Sequence, residues 1–252
     1  MQAYGEGFAR IYNLRWGGFA NDVAPRIREF YAGTPIGQTD KSILDVCCGT
    51  GQLALHFLEH GYRVTGLDLS PAMLDYARAN TAAYIDHGLA RFVLGDAADF
   101  ALDERFGLAV STFDALNHLP DLNALRGCFR SVFALLLDEG WFIFDLNTRS
   151  GLRRWGGVSV QDAEELTLLT RGVIVEEQDR AYTQITGFLR REGDLYERFD
   201  ETAYNTMFAL EAVHAALLAT GFRRAHFARV RDLATPIDAP EQEGRVFVVA
   251  YK

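Results

Sequence analysis

Three acidic residues, one inside a strand-like run and two at the ends of such runs, are the groups in this sequence best placed to do chemistry. Asp45 lies within Ile43-Leu-Asp-Val-Cys-Cys-Gly49-Thr-Gly51-Gln-Leu-Ala54, where an apolar run enters a glycine turn and a helix-forming stretch follows. Glycine permits a tight turn and lets a ligand approach the backbone. The helix start offers free N–H groups that favour an anionic group. Asp68 closes Val64-Thr-Gly-Leu-Asp, 19 residues after Gly49. A carboxylate at that tip can accept both hydroxyls of a ribose. A third run ends in Gly95-Asp96-Ala97, where a carboxylate can accept the exocyclic amino group of adenine and a backbone N–H can meet a ring nitrogen.

The glycine turn and Asp68 also satisfy the dinucleotide fingerprint, which keeps an NAD-dependent oxidoreductase open as a reading. Asp45 and Asp96 argue against it. An unpaired carboxylate inside a buried strand costs free energy, and a pyrophosphate would add repulsion. A cationic ligand would make it useful. S-adenosyl-L-methionine (SAM) carries an ammonium, a sulfonium and a single carboxylate. Taken together, Asp45 to Gly51, Asp68 and Gly95-Asp96 resemble the class I SAM-dependent methyltransferases over about residues 42–147. The resemblance is to the small-molecule type, similar to sugar-amine N-methyltransferases.

That resemblance implies that Gly49 and Gly51 hold the methionine moiety, Asp68 the ribose and Asp96 the adenine, with Asp45, Leu69, Ala97 and Phe113 beside them. It implies SAM as cofactor, S-adenosyl-L-homocysteine as product, and no metal. It also implies a sheet in the order 3-2-1-4-5-7-6 with the last strand antiparallel. Cys47-Cys48 departs from the small residues usual there, but cysteine is small and apolar enough to substitute, and the dipeptide lacks metal-ligand spacing.

Methyl transfer is an in-line displacement at a sulfonium carbon. The protein must align the nucleophile and exclude water, and a base is needed where the nucleophile must shed a proton. The run Ser111-Thr-Phe113-Asp114-Ala-Leu-Asn117-His118 borders sulfonium and acceptor in the resembling family. His118 is the candidate base, with Asp114 and Asn117 as polar neighbours; the alternative is that it packs at the start of the next helix. Asp145 and Asn147 either face the same cleft or form a turn. Tyr12 and Trp16, in a series with Tyr4, Phe8 and Phe19, either cover the sulfonium by cation–π attraction or pack as one face of an amphipathic helix.

The elements that position these groups alternate regularly. Strands are expected at residues 42–47, 62–67, 91–94, 106–112 and 141–146. Helices are expected at 52–59, from Ser70-Pro71 toward 84, and at 122–137. Ser70 reads as an N-cap with proline at the first helical position. Such alternation predicts an α/β fold, a parallel sheet with helices on both faces and its ligand at the carboxyl ends of the strands; the resemblance implies that this sheet is Rossmann-like, seven-stranded and mostly parallel. After Asn147 the pattern becomes antiparallel, with alternating runs at 166–175, 182–189 and 195–204 around a Glu192-Gly193-Asp194 turn. A helix at 210–220 and strands at 222–230 and 245–251 close the chain. The expected organisation is an N-terminal helical lid (1–40), a SAM-binding domain (41–147 and 207–252) and an antiparallel insertion (148–206) covering the acceptor site.

Composition sets the outer bounds. The chain has 252 residues, 49% hydrophobic and 23% charged, the profile of an ordinary globular protein. Its net charge of −9 opposes long-range attraction to phosphate backbones. The arginine pairs at 153–154, 190–191 and 223–224 are scattered, so no nucleic-acid partner is expected. Three cysteines cannot make a disulfide framework. The longest apolar run, residues 132–137, cannot span a bilayer, and the first residues carry no apolar core of a signal peptide. The expected setting is cytoplasmic, the partner a small methyl acceptor, and a homodimer is possible. A methyltransferase acting on a macromolecule and a non-catalytic SAM-binding module remain as alternatives.

Overall fold

The computed structural model describes residues 5–191 and 193–252; Tyr4 and Glu192, named above, lie outside them. Three helices come first: α1 (Glu6–Arg15), α2 (Gly17–Ala32) and α3 (Pro35–Thr39). The alternating region follows as β1 (Ser42–Val46), α4 (Gln52–Glu59), β2 (Arg63–Asp68), α5 (Pro71–Asn80), α6 (Ala82–Asp86), β3 (Ala90–Leu94) and β4 (Phe106–Ser111). It ends with α7 (Leu122–Leu135) and β5 (Leu136–Asn147). A short α8 (Arg149–Leu152) leads into β6 (Gly157–Ala163), β7 (Leu166–Val175), β8 (Arg180–Arg190) and β9 (Tyr196–Thr206). The chain closes with α9 (Leu210–Thr220), β10 (Arg224–Ala228) and β11 (Arg245–Tyr251).

The main sheet runs β10-β11-β5-β4-β1-β2-β3. Strands β1 to β5 pair in parallel, and β11 is antiparallel to both β5 and β10. Read from the other edge, this is the expected order 3-2-1-4-5-7-6. Successive strand residues point to opposite faces, and both faces are covered. Leu44, Phe142 and Phe144 pack with Phe129 and Val132 of α7 and Leu217 of α9. Ile43, Val110, Ile143 and Val249 pack with Ile27 and Tyr31 of α2 and Phe57 of α4. Each such fully buried side chain contributes about 1.5–3 kcal/mol relative to exposure, which fixes β1 and β4, and with them their tips, between two apolar layers.

Local chemistry sets the element ends. The Ser70 hydroxyl accepts the Met73 N–H at 3.2 Å and Pro71 occupies the first turn of α5. The helix expected to reach residue 84 divides at Thr81, whose hydroxyl donates back to the Ala77 carbonyl at 2.7 Å, a bond that competes with helix continuation. The boundary expected near residues 137–141 falls earlier. Strand β5 pairs with β4 from Leu136 onward, through a register shift and a left-handed Glu139 (φ 65°). Strand β6, absent from the expected set, is an edge strand with every residue exposed, so it lacks the half-buried alternation by which strands are recognised.

Strands β6 to β9 form a second, antiparallel four-stranded sheet. Its root is tied to the main sheet through buried polar groups. The Asn117 side-chain amide donates to the carbonyls of Asn147 (3.2 Å) and Thr206 (2.9 Å), and its oxygen accepts the Asn147 N–H at 2.9 Å. The Thr206 hydroxyl donates to the Leu119 carbonyl at 2.5 Å. Removing the Asn117 amide strands three buried backbone groups, so Asn117→Ala is expected to lower unfolding free energy by about 2–4 kcal/mol. Urea denaturation of both proteins checks this; a loss below about 0.5 kcal/mol would contradict the assigned bonds.

Candidate functional site

The tips of β1, β2, β3 and β4 open onto one cavity of about 350 Å³, in the size range of small-molecule sites. Its wall includes Tyr12, Gly49, Asp68, Leu69, Asp96, Ala97, Phe113 and His118. Of the residues expected to hold the cofactor, Asp45, Gly51 and Trp16 do not form that wall. Gly51 (φ 81°) caps α4, and a Cβ there would lie 3.1 Å from the Ala77 backbone of α5, so it permits helix packing rather than ligand approach. Trp16 stands behind Tyr12, 5.9 Å between ring centroids, and borders a separate recess with Arg15 and Gln161. Asp45 lies beneath the glycine turn, 2% exposed.

Gly49 (φ 53°) turns the chain from β1 toward α4, and the Tyr12 ring lies 3.4 Å from where its Cβ would be. The left-handed turn favours glycine here, and the tyrosine ring would sit in van der Waals contact with any added Cβ. Its N–H donates to Oδ2 of Asp68 at 2.8 Å, while Oδ1 accepts the Ser70 N–H at 2.9 Å. Asp68 is thereby held at the cavity rim. Burial pushes its carboxyl above the usual range, opposed by these backbone N–H groups. Asp96 closes its own turn by accepting the Ala98 N–H at 2.9 Å, which sets its carboxylate at the third tip.

Asp45 is the anomaly. Its Oδ2 is fully buried and makes no hydrogen bond among the described residues, and the neighbouring Ser111 hydroxyl is likewise unpartnered. Burial and then the nearby Asp68 charge push the Asp45 carboxyl up to about 8. A buried acceptor left open costs about 1–3 kcal/mol and fits a site that awaits a cation. Residues Asp45, Asp68 and Asp96 therefore fit a ligand with an ammonium at one end and an adenosine at the other.

Deeper in the molecule lie Asp145 and Asn147, expected either to face the cleft or to form a turn. Asp145 is instead fully buried and organises the turn after β4. Its Oδ1 accepts the Phe113 N–H at 2.6 Å and its Oδ2 the Asp114 N–H at 2.9 Å. Arg245, not recognised in the sequence as part of the site, pairs with Asp145 and, at 2.7 Å, with Asp114. Its only sequence signal is a cation at the start of an otherwise apolar closing strand. Asn147 also serves structure, through Asn117. His118, at the end of the turn Ala115–His118, is half-buried at the cavity wall. Burial lowers its pKa, opposed by the Asp114 charge and by a hydrogen bond to the Tyr204 backbone of β9. A bond that favours the charged ring is one the ring donates, so the Tyr204 carbonyl fixes the tautomer.

Two predictions follow from these carboxylates. Asp45 binds its proton more tightly folded than unfolded, where its pKa is about 3.9. Its contribution to stability is therefore complete below about pH 4 and is lost as pH rises toward about 8. Asp45→Asn removes that loss. Its melting temperature should gain on the parent protein between about pH 5 and 8 and run parallel above; parallel curves throughout would exclude the raised carboxyl. Asp68→Ala should weaken S-adenosyl-L-homocysteine binding by about 2–4 kcal/mol in calorimetry if two charge-assisted bonds are lost, and an unchanged affinity removes Asp68 from the site.

Known proteins agree with this geometry. Residues 43–140 match the family described as a methyltransferase domain. YqeM of Bacillus subtilis is 28% identical over 211 residues, covering 83% of each chain. The dTDP-3-amino-3,4,6-trideoxy-alpha-D-glucopyranose N,N-dimethyltransferase of Streptomyces venezuelae is 27% identical over 210 residues, 81% of this chain and 82% of that one. A SAM-dependent methyltransferase from Clostridium acetobutylicum superimposes with a TM-score of 0.79 over 97% of both chains at 22% identity. The sugar N-methyltransferase KedS8 from Streptoalloteichus gives 0.79 over 100% of this chain and 95% of its own at 23% identity. Residues 43–140 thus carry a methyltransferase domain, and the chain as a whole has the fold of the S-adenosylmethionine-dependent methyltransferases on which it superimposes.

Proposed function

We propose that this protein methylates a nitrogen or oxygen nucleophile on a small molecule, with His118 as general base, Asp68 and Asp96 holding the adenosine of SAM, and Asp45 facing its ammonium end. The observation that carries the donor assignment is the buried, unpartnered Oδ2 of Asp45 below a cavity rimmed by Asp68 and Asp96. An NAD pyrophosphate at the same turn would meet that carboxylate with like charge, so the oxidoreductase reading has no support here. When bound, SAM supplies an activated methyl group on a positively charged sulfur.

The chain's own residues then have three tasks. Tyr12 and Phe113, 5.9 Å apart between centroids, present aromatic faces to the cavity and exclude water from it. The N-terminal helices act as the cover over the donor, and the four-stranded sheet borders the acceptor side. His118 receives the acceptor proton. With one ring N–H donated to Tyr204, its other nitrogen carries the lone pair, and burial keeps the ring neutral at physiological pH. A hydroxyl needs such a base, and an alkylammonium must lose a proton before it can attack. The sugar-amine methyltransferases among the relatives make an amine on a small polar acceptor the first class to assay.

His118→Asn keeps a hydrogen-bonding side chain and removes the base. It is expected to lower kcat about 10²–10⁴-fold with S-adenosyl-L-homocysteine affinity unchanged. The parent protein's kcat should rise with pH through a midpoint below the ordinary histidine value of about 6.5, and the variant should lose that limb. A variant of parental kcat would return His118 to a packing role.

A further inference from the structure

Phe113 and Asp114, consecutive and neither of them glycine, both adopt left-handed backbone conformations (φ 67° and 50°). Such conformations persist only where the surroundings enforce them, and they cluster at functional sites. Here the enforcing group is the Asp145 carboxylate, which takes both backbone N–H groups. Asp145 is buried on β5 and pairs with Arg245 at the start of β11. Arg245 also grips the Asp114 side chain. One guanidinium thus fastens the turn through its backbone acceptor and through its side chain.

The same guanidinium reaches the N-terminal helices. Its carbon lies 4.7 Å from the centroid of Phe19 on α2 and 5.6 Å from that of Phe113. Phe19 and Phe113 are stacked, 4.7 Å apart at 19°, and Phe113 meets Tyr12 of α1. A continuous path therefore runs from β11 through Arg245 and the Phe19–Phe113 stack to the tyrosine that covers Gly49. We infer that Arg245 is a positioning residue for the donor pocket, fastening the Phe113–Asp114 turn to the β5 tip and docking the N-terminal helices over the cavity through Phe19. It does not itself line the cavity; Phe113 and Tyr12, which do, are the residues it holds in place. The inference rests on the reading of the cavity as the SAM pocket only where it concerns affinity, because the docking itself is a property of the free protein.

The test compares Arg245→Gln, Phe19→Leu and, as a stability control, Arg224→Gln. Arg224 covers Trp141 and Tyr251 at the sheet edge, away from the cavity. Hydrogen–deuterium exchange of the free proteins reads docking, and calorimetry with S-adenosyl-L-homocysteine reads the pocket. Arg245→Gln should speed exchange in residues 112–118 and 6–15 and weaken S-adenosyl-L-homocysteine about tenfold or more, the size of an ordinary coupling between elements. Phe19→Leu keeps both ion pairs. It should speed exchange in 6–15 alone with a smaller loss of affinity, and it decides the matter if Arg245→Gln does not fold. Arg224→Gln should lower the melting temperature and leave exchange in both segments and affinity unchanged. The inference is overturned if Arg245→Gln and Phe19→Leu exchange like the parent in these segments, or if Arg224→Gln loosens them equally. A parent protein that docks its helices but does not bind S-adenosyl-L-homocysteine would overturn the SAM-pocket reading and leave the docking role standing.

Discussion

Five carboxylates meet around the strand tips, Asp45, Asp68, Asp96, Asp114 and Asp145, and among the described residues a single guanidinium, that of Arg245, answers them. The arrangement divides in two. Asp114 and Asp145 are neutralised internally and act as scaffolding. Asp45 and Asp68 are held in low dielectric with no cation beside them, their protons bound more tightly than usual. Acids held this way resist ionisation in the empty protein, and a positive ligand beside them favours their charged form. The rest of the molecule, from the two apolar layers that fix the strands to the aromatic cover, keeps this imbalance in place.

The main sheet was legible because parallel strands buried on both faces produce long apolar runs, and helices between them carry capping and glycine signals. Residues 43–46 and 245–251 show this plainly. The three acidic tips were legible for a related reason: a carboxylate interrupting such a run must have a purpose. Less visible was the division of labour among acids. Asp145 follows an apolar run as Asp68 does, and nothing local tells that its partner is an arginine 100 residues onward. Non-local pairing leaves no periodic trace.

The second sheet was read in outline but without its first strand. Edge strands need bury nothing, so β6 has valines on its open face and no core positions. Likewise, His118 was found from its place after β4, but the carbonyl that orients it comes from Tyr204, on a strand 86 residues away. The N-terminal aromatics were read as one helical face. The chain instead breaks at Trp16, which lets Tyr12 and Phe19 reach Phe113 from two different helices.

The anchoring of the four-stranded sheet has an evolutionary corollary. Its inner ends, Tyr204 to Thr206, are locked to the strand tips through His118, Asn117 and Leu119, its far end packs Leu166, Leu168 and Leu189 against Phe8 and Ile11 of α1, and only the edge strand β6 is exposed along its whole length. Changes of composition along β6 therefore touch neither anchor. A lineage on this scaffold can vary that edge while keeping the sheet fixed at both ends, because the strand that is free to change buries nothing.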